Sequence, residues 1–534
     1  MNVSRTIVGC MSRRLAVMPG LLLLSAAAVG CGDTEQIGSE QTSSQQASTS
    51  TSSTSAGIAA QVKTFCGDCH VAPRPESFPR DAWHDEVRRG FDFYFSSGRT
   101  DLVPPIQAEV TRYFRDLAPD TFDCQPVAGE PSPIHFRRFE PAGAVQPYNG
   151  PPAVSFVSEV FGGPQPAWWV SDMRQGTVSM LTAEGRALWS SSTASAHPAA
   201  VRVCDLDRNG QEDLLCTDLG SFLPEDHDRG RLVWISNRGT DEQQETVLLD
   251  GIGRVADVAI ADLDGDDDDD LVVAEFGWHK TGGIHLLRNI SSQPDGVPAF
   301  ETEELDDHSG PIHVLVTDLN GDDRLDILAL ISQEHEQVVA FVNGADGFTR
   351  RVLYPAPDPS WGSSGISLVD LDQDGDQDIL YTNGDTFDSY LIKPYHGITW
   401  LENQNDLTFV PHHLASLPGV HRALAADFDQ DGDMDIAAVA LLPEQMLRDV
   451  DATAFHSAIW LEQTQSGDFV THVIDTGRAV HAAMTLSDYD GDGDIDIVAG
   501  NFVETGTAGP LVVYVNDGTG HPRSGTRQGF RLLD

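Results

Sequence analysis

Two groups of residues have the types and spacing to do chemistry. The first is Cys66-Gly67-Asp68-Cys69-His70. Two thiols two residues apart, followed at once by an imidazole, suit a redox disulfide, half of a zinc site or a covalently attached c-type haem. A zinc site needs two further ligands, and no second CxxC follows. A redox pair needs a βαβ neighbourhood, which is absent, and has no use for the histidine. In the haem reading Cys66 and Cys69 add to the two vinyl groups and His70 is the proximal iron ligand. Ten aromatic residues lie between Phe65 and Phe122, well above the chain average of 8%, and a macrocycle needs such an apolar wall. No methionine lies between Met18 and Met173, and His84 is the only other histidine of this segment. His84 is therefore the candidate distal ligand. The alternatives are a surface histidine there and an open or water-bound iron.

The second group is a ladder of acidic nonapeptides: "DLDRNGQED" from Asp205, "DLDGDDDDD" from Asp262, "DLNGDDRLD" from Asp318, "DLDQDGDQD" from Asp370, "DFDQDGDMD" from Asp427 and "DYDGDGDID" from Asp488. Position 1 is always Asp, positions 3 and 5 are Asp or Asn, position 9 is Asp, and Gly falls at 4 or 6. Alternate oxygens on a curled chain build the shell that a hard cation such as Ca2+ requires, and glycine permits the curl. The expected ligands are Asp205, Asp207, Asn209 and Asp213 in the first loop, then Asp262, Asp264, Asp266 and Asp270, then Asp318, Asn320, Asp322 and Asp326. The last three loops supply Asp370, Asp372, Asp374 and Asp378; Asp427, Asp429, Asp431 and Asp435; and Asp488, Asp490, Asp492 and Asp496. Up to six Ca2+ are expected. No Glu follows at position 12 and strands rather than helices flank the loops, so these are not EF-hands.

The elements that must position these residues follow from periodicity. Trp83, Val87 and Phe91 recur at helical spacing, as do Ile106, Val110, Tyr113, Phe114 and Leu117, which predicts a small helical domain over 58–126. Each acidic loop joins two short apolar runs, such as "VLVT" and "ILAL", and further strands such as "GITWLEN" follow, giving about four strands per unit. The loops start 52 to 61 residues apart. Residues 151–534 hold seven such units, the first, at 151–196, without an acidic loop. The fold class is mainly β, a repeat array preceded by a small α-helical cytochrome c-like domain. The units resemble FG-GAP/VCBS repeats, the calcium-binding blades of integrin α-like β-propellers, and "VFGGPQP" from Val160 is a loose form of the name motif. The resemblance implies a seven-bladed propeller and implies no activity. The whole arrangement resembles exported bacterial proteins that join a CxxCH segment to such repeats.

The 534 residues carry 82 acidic against 33 basic side chains, a formal charge of −49, which leaves no basic footprint for nucleic acid. Residues 1–31 read as an export signal, with Arg5, Arg13 and Arg14 before an apolar stretch that ends in Ala28-Val29-Gly30-Cys31. That end resembles a lipobox with lipidation at Cys31, the alternative being ordinary signal cleavage; either places the protein in the periplasm or at the cell surface. The only membrane contact expected is the anchor. Residues 32–57 are a Ser/Thr-rich tether, and 127–150 a linker. Cys204 and Cys216 bracket one acidic loop, as a disulfide or as two buried thiols.

His197, His313, His421 and His481 each precede an acidic loop by five to eight residues. If the run before each loop is an innermost strand, they ring one channel mouth, as a transition-metal or substrate site or as repeated structural residues. Trp361 holds the corresponding place in another unit. Three functions compete: a haem protein that transfers electrons or couples redox state while the propeller binds a protein or glycan, an oxidoreductase or lyase acting at the histidine mouth, and a calcium-dependent adhesion module. The redox partner would be a protein or a small-molecule donor.

Overall fold

The computed structural model describes residues 55–518 apart from 123, 125–128, 142–149, 163–164, 192–194, 292–295, 388, 449–450, 466 and 507. The signal segment, Cys31 and most of the tether lie outside the described residues.

Twenty-eight strands form seven four-stranded antiparallel sheets, each a blade of a β-propeller. Blade 1 spans Val154–Ser191, and blades 2 to 6 span Pro198–Ile252, Val255–Asp306, Pro311–Pro355, Ser363–Ser416 and Val420–Thr476. Blade 7 takes three strands from His481–Asn516 and its outermost strand from Phe136–Phe139, pairing Phe136 with Asn516 and Phe139 with Val513. The two ends of the propeller chain are thus hydrogen-bonded into one sheet, and this closing strand lies inside the segment read as a linker. Blade 7 also packs on blade 1 through Val154, Val157, Trp168, Val498 and Val513. The second strand of blades 3, 4 and 6 is buried along its whole length, as expected of strands covered on both faces.

Three helices precede the propeller: α1 (Ser55–Phe65), α2 (Trp83–Ser96) and α3 (Gln107–Leu117). Trp83, Val87, Phe91, Val110 and Phe114 are buried as the helical spacing expects, with Trp83 stacked on Phe114 at 4.0 Å between ring centroids. Ile106 and Leu117, placed on the same stripe, are 64% and 59% exposed. Both sit at the ends of α3, Ile106 as its N-cap and Leu117 as its last residue, beyond the buried stretch that holds Val110 and Phe114. Helix α1, which delivers the cysteine motif, has no strong periodic signal in its small and polar residues.

Candidate functional site at the mouth of the propeller

Each acidic nonapeptide links the innermost strand of its blade to the second strand, so all six lie on one face. The residue before position 1 pairs with position 9, as Ala261 with Asp270 and Ala426 with Asp435. Positions 4 and 6 both carry positive φ in every loop: Arg208 and Gly210, Gly265 and Asp267, Gly321 and Asp323, Gln373 and Gly375, Gln430 and Gly432, Gly491 and Gly493. That backbone is costly for most residues and free for glycine. It explains why glycine moves between the two positions and why a polar residue fills the other.

The backbone curl turns the carboxylates inward. Asp262 accepts from the amides of Gly265, Asp266 and Asp267, and Asp318 likewise from Gly321, Asp322 and Asp323. Ligand oxygens of Asp262, Asp264 and Asp266 lie within 4.8 Å of one another, as do those of Asp370, Asp372 and Asp374. In two other loops the close set is positions 1, 3 and 9: Asp205, Asp207 and Asp213, and Asp427, Asp429 and Asp435. Such sets could hold a hard cation.

Position 9 has a second task that the spacing did not reveal. Asp435 is buried; its Oδ2 accepts from Phe428 N at 3.1 Å and its Oδ1 from Gln463 N at 2.8 Å. Asp270, Asp326, Asp378 and Asp496 make the same pair of bonds, to the amide at position 2 and to an Asn amide at the end of the third strand. This carboxylate therefore ties three strands together whether or not it also reaches a cation. Burial and the neighbouring loop carboxylates push Asp435 up to about 7 and Asp496 up to about 8.

The opposite face is the mouth at which the innermost strands begin. His197, His313, His421 and His481 stand at or near the starts of these strands, each with its own hydrogen-bond partner. His197 Nδ1 meets Met173 O at 2.7 Å, and His421 Nδ1 meets Gly419 O at 3.1 Å. His481 is buried in its own blade, with Nε2 3.1 Å from Tyr514 Oη. No two of the four are hydrogen-bonded or ring-stacked to each other among the described residues. Offsets of five to eight residues mix odd and even positions, and a strand alternates its faces every residue. A register shift at the start of each strand re-aims the side chains again. Trp361 stacks on Tyr395 at 4.6 Å.

Only His313 joins a channel network, and its partners went unread in the sequence. Arg202 Nη2 donates to Asp257 Oδ1 at 2.9 Å, His313 Nδ1 lies 3.3 Å from Asp257 Oδ2, and Arg422 Nη1 lies 3.4 Å from His313 Nε2. These residues come from the innermost strands of blades 2, 3, 4 and 6. Burial lowers the His313 pKa, so the neutral ring donates from Nδ1 and accepts from Arg422. Lone charged residues within apolar inner-strand runs, such as Arg202 in "AAVRVC", were the available signal.

The cysteine motif follows α1 directly. Phe65 packs on Phe91 at 5.0 Å and Tyr94 at 4.9 Å. Cys66 and Cys69 are free thiols, and burial pushes Cys66 up to about 11. Cys69 Sγ lies 2.9 Å from Arg99 Nη1 at the surface. His70 Nδ1 donates to Val71 O at 2.7 Å, which leaves Nε2 with its lone pair. Val71, Phe93, Phe95, Val103 and Ile106 are exposed apolar side chains of the same helical segment. Two thiols, an imidazole with Nε2 free and an uncovered apolar surface are the donor set and wall that a c-type haem requires, so these residues could hold one. His84 is exposed at the start of α2. It lies seven and ten residues before Phe91 and Tyr94, roughly 10–15 Å along the helix axis, which sets it apart from the motif. Cys204 and Cys216 are also free: Cys216 pairs with Val201 and Cys204 with Asp213, so the hairpin register does not set them opposite each other.

The helical segment docks on the mouth face through Asp358, in the connection from blade 4 to blade 5. Its fully buried carboxylate accepts from Arg74 N at 2.6 Å, Ser77 Oγ at 2.5 Å, Ser360 N at 2.9 Å and Ser360 Oγ at 2.6 Å. Lys393, also buried, donates to Ser360 O at 2.6 Å and lies 5.2 Å from the centre of the Phe78 ring. Phe93 of α2 meets His279 of blade 3 at 4.5 Å.

The FG-GAP-like repeat family matches residues 205–273 and 318–381, each match starting at position 1 of an acidic loop and running through the next loop. The chain carries FG-GAP-like repeats. No curated protein matches the sequence. Similar solved structures include a streptogramin B lyase, 14% identical over 71% of this chain and 98% of that one, with a TM-score of 0.45. Virginiamycin B lyase from Staphylococcus aureus is 10% identical over 71% and 99%, TM-score 0.43. An ancestral GH74 enzyme is 11% identical over 68% and 47%, TM-score 0.45. The FG-GAP-like propeller thus presents two faces: one bears the acidic loops, and the other bears the helical segment with its cysteine motif.

Proposed function

We propose that this FG-GAP-like propeller protein is an exported, lipid-anchored c-type haem protein that transfers electrons or couples redox state, with Ca2+ in its acidic loops. The observation that carries the reading is Cys66-x-x-Cys69-His70 at the end of a packed helix, with His70 Nε2 free beside an uncovered apolar surface. A bound haem would supply a one-electron redox centre. The chain's own residues would hold its edge through Cys66 and Cys69, orient the proximal imidazole through the Val71 carbonyl, and fix the segment on the propeller through Asp358. The propeller would recognise a redox partner or a glycan, while the tether after Cys31 holds both away from the membrane.

The test uses full-length protein made in a host with c-type cytochrome maturation. Haem should stay with the polypeptide through denaturing electrophoresis, and the intact mass should rise by one haem. Cys66→Ala together with Cys69→Ala should abolish attachment and leave the propeller folded. An apo mass with both thiols alkylatable overturns the proposal.

A further inference from the structure

The propeller places three further histidines on the face to which the helical segment docks. Three connections of blades 3 and 4 nest on the mouth face. Gly310 N donates to Phe276 O at 2.9 Å, and Ser332 N donates to Gly310 O at 2.8 Å. They carry His279, His308 and His335. The rings of His308 and His335 meet edge to face at 4.5 Å. His308 is held by Asp306, whose Oδ1 lies 2.5 Å from Nδ1. Neither ring nitrogen of His335 makes a hydrogen bond among the described residues, and the ring is only half-buried.

The turn that presents His335 is constrained. Gln333 and Glu336 have φ of 56° and 48°, a conformation that costs most residues energy. Glu336 is anchored beneath, accepting from Ser363 N at 2.7 Å and Gly362 N at 3.2 Å. This buried anchor fixes the strained turn, with its half-buried His335, on the face to which the helical segment docks. The connection that carries His279 touches Phe93 of α2, and the connection that follows His335 in the chain, tied to the His335 turn by Ala356 N donating to Glu336 O at 2.8 Å, holds Arg74, four residues beyond His70, through Asp358. A neutral imidazole with a free lone pair is the form that ligates iron.

We propose that His335 of the propeller, positioned by His308, is the second axial ligand of the haem carried on Cys66 and Cys69. The inference rests on the haem reading above. It replaces His84, which lies at the far end of α2. It also gives the docking through Asp358 a function: the propeller completes the coordination of a group attached to another part of the chain, so the redox potential depends on their contact.

The test compares haem-loaded full-length protein with His335→Ala, His335→Met, His308→Ala and His84→Ala by absorption and electron paramagnetic resonance, with intact mass for each. Wild-type ferric protein should be six-coordinate and low-spin. His335→Ala should lose the low-spin signal for a high-spin one, and millimolar imidazole should restore it. His335→Met should stay low-spin with a raised potential, which separates ligation from a folding defect. His84→Ala should match the wild type. A low-spin spectrum unchanged in His335→Ala, a high-spin wild type, or a switch produced by His84→Ala overturns the ligation. A switch in His308→Ala but not in His335→Ala also overturns it. Absence of the haem mass in wild type overturns the parent reading instead, so the two failures are distinct.

Discussion

The acidic loops give the FG-GAP-like propeller a pH dependence whose sign depends on metal. Asp435 is held at about 7 against an ordinary 3.8, and Asp496 at about 8, chiefly because both are buried. A carboxyl whose folded pKa is raised binds its proton more tightly in the folded state. Its stabilising effect is fully present below the unfolded value and is lost as pH rises through the folded value. From pH 5 to pH 8 Asp435 alone then withdraws on the order of 3 kcal/mol from the metal-free protein, two pH units at about 1.4 kcal/mol each. For a protein of this size that corresponds to a fall of about 3 °C in Tm, with Asp496 adding to it. Calcium held in the proposed sites should reverse the slope, because a bound cation favours the ionised loop, and each site at 100 times its Kd would add about 2.7 kcal/mol. Scanning calorimetry in chelator and in calcium, at pH 5 and pH 8, measures both effects. Chelated protein should melt lower at pH 8 than at pH 5, calcium should raise Tm far more at pH 8, and Asp435→Asn should flatten the chelated slope. Equal calcium shifts at the two pH values, or chelated protein that gains stability with rising pH, would refute the reasoning.

Other substitutions test other parts. Asp358→Ala removes the acceptor of Arg74 N and Ser77 Oγ; it should cost about 1–3 kcal/mol of docking and open the chain around Arg74–Ser77 to limited proteolysis while the propeller transition stays. Asp257→Ala removes the buried carboxylate shared by Arg202 and His313; a loss of about 3–5 kcal/mol is expected in denaturant unfolding, and Asp257→Asn should recover part of it. Gly432→Ala puts a Cβ on a backbone with φ of 103° in otherwise open space; it should destabilise blade 6 by about 1 kcal/mol and weaken calcium binding in a titration, whereas Gly90→Ala, with open space and an ordinary helical backbone, should not.

Much of this architecture was legible in the residues. Six acidic loops in phase, each between apolar runs, dictated seven four-stranded units, because a strand pair joined by a curled loop has one register that buries both runs. The alternation of oxygens at positions 1, 3 and 5 and the glycine at 4 or 6 likewise announced loops with left-handed backbone. The helical stripes placed Trp83, Val87, Phe91, Val110 and Phe114 in one core. What the sequence could not determine was everything set by contact between distant segments. The closing strand Phe136–Phe139 carries too short a pattern to mark it, and its place follows only from the unpaired edge of Val512–Asn516. The double duty of the position 9 aspartates depends on an amide contributed by the third strand. The direction of His197, His313, His421 and His481 was decided by one-residue register shifts, which turn a side chain to the other face. The docking of the helical segment on the mouth face was decided by a single buried carboxylate, Asp358, which binds a turn some 280 residues away in the chain; a polar group that must be satisfied when buried fixes such a partner in three dimensions and leaves no periodic trace in one.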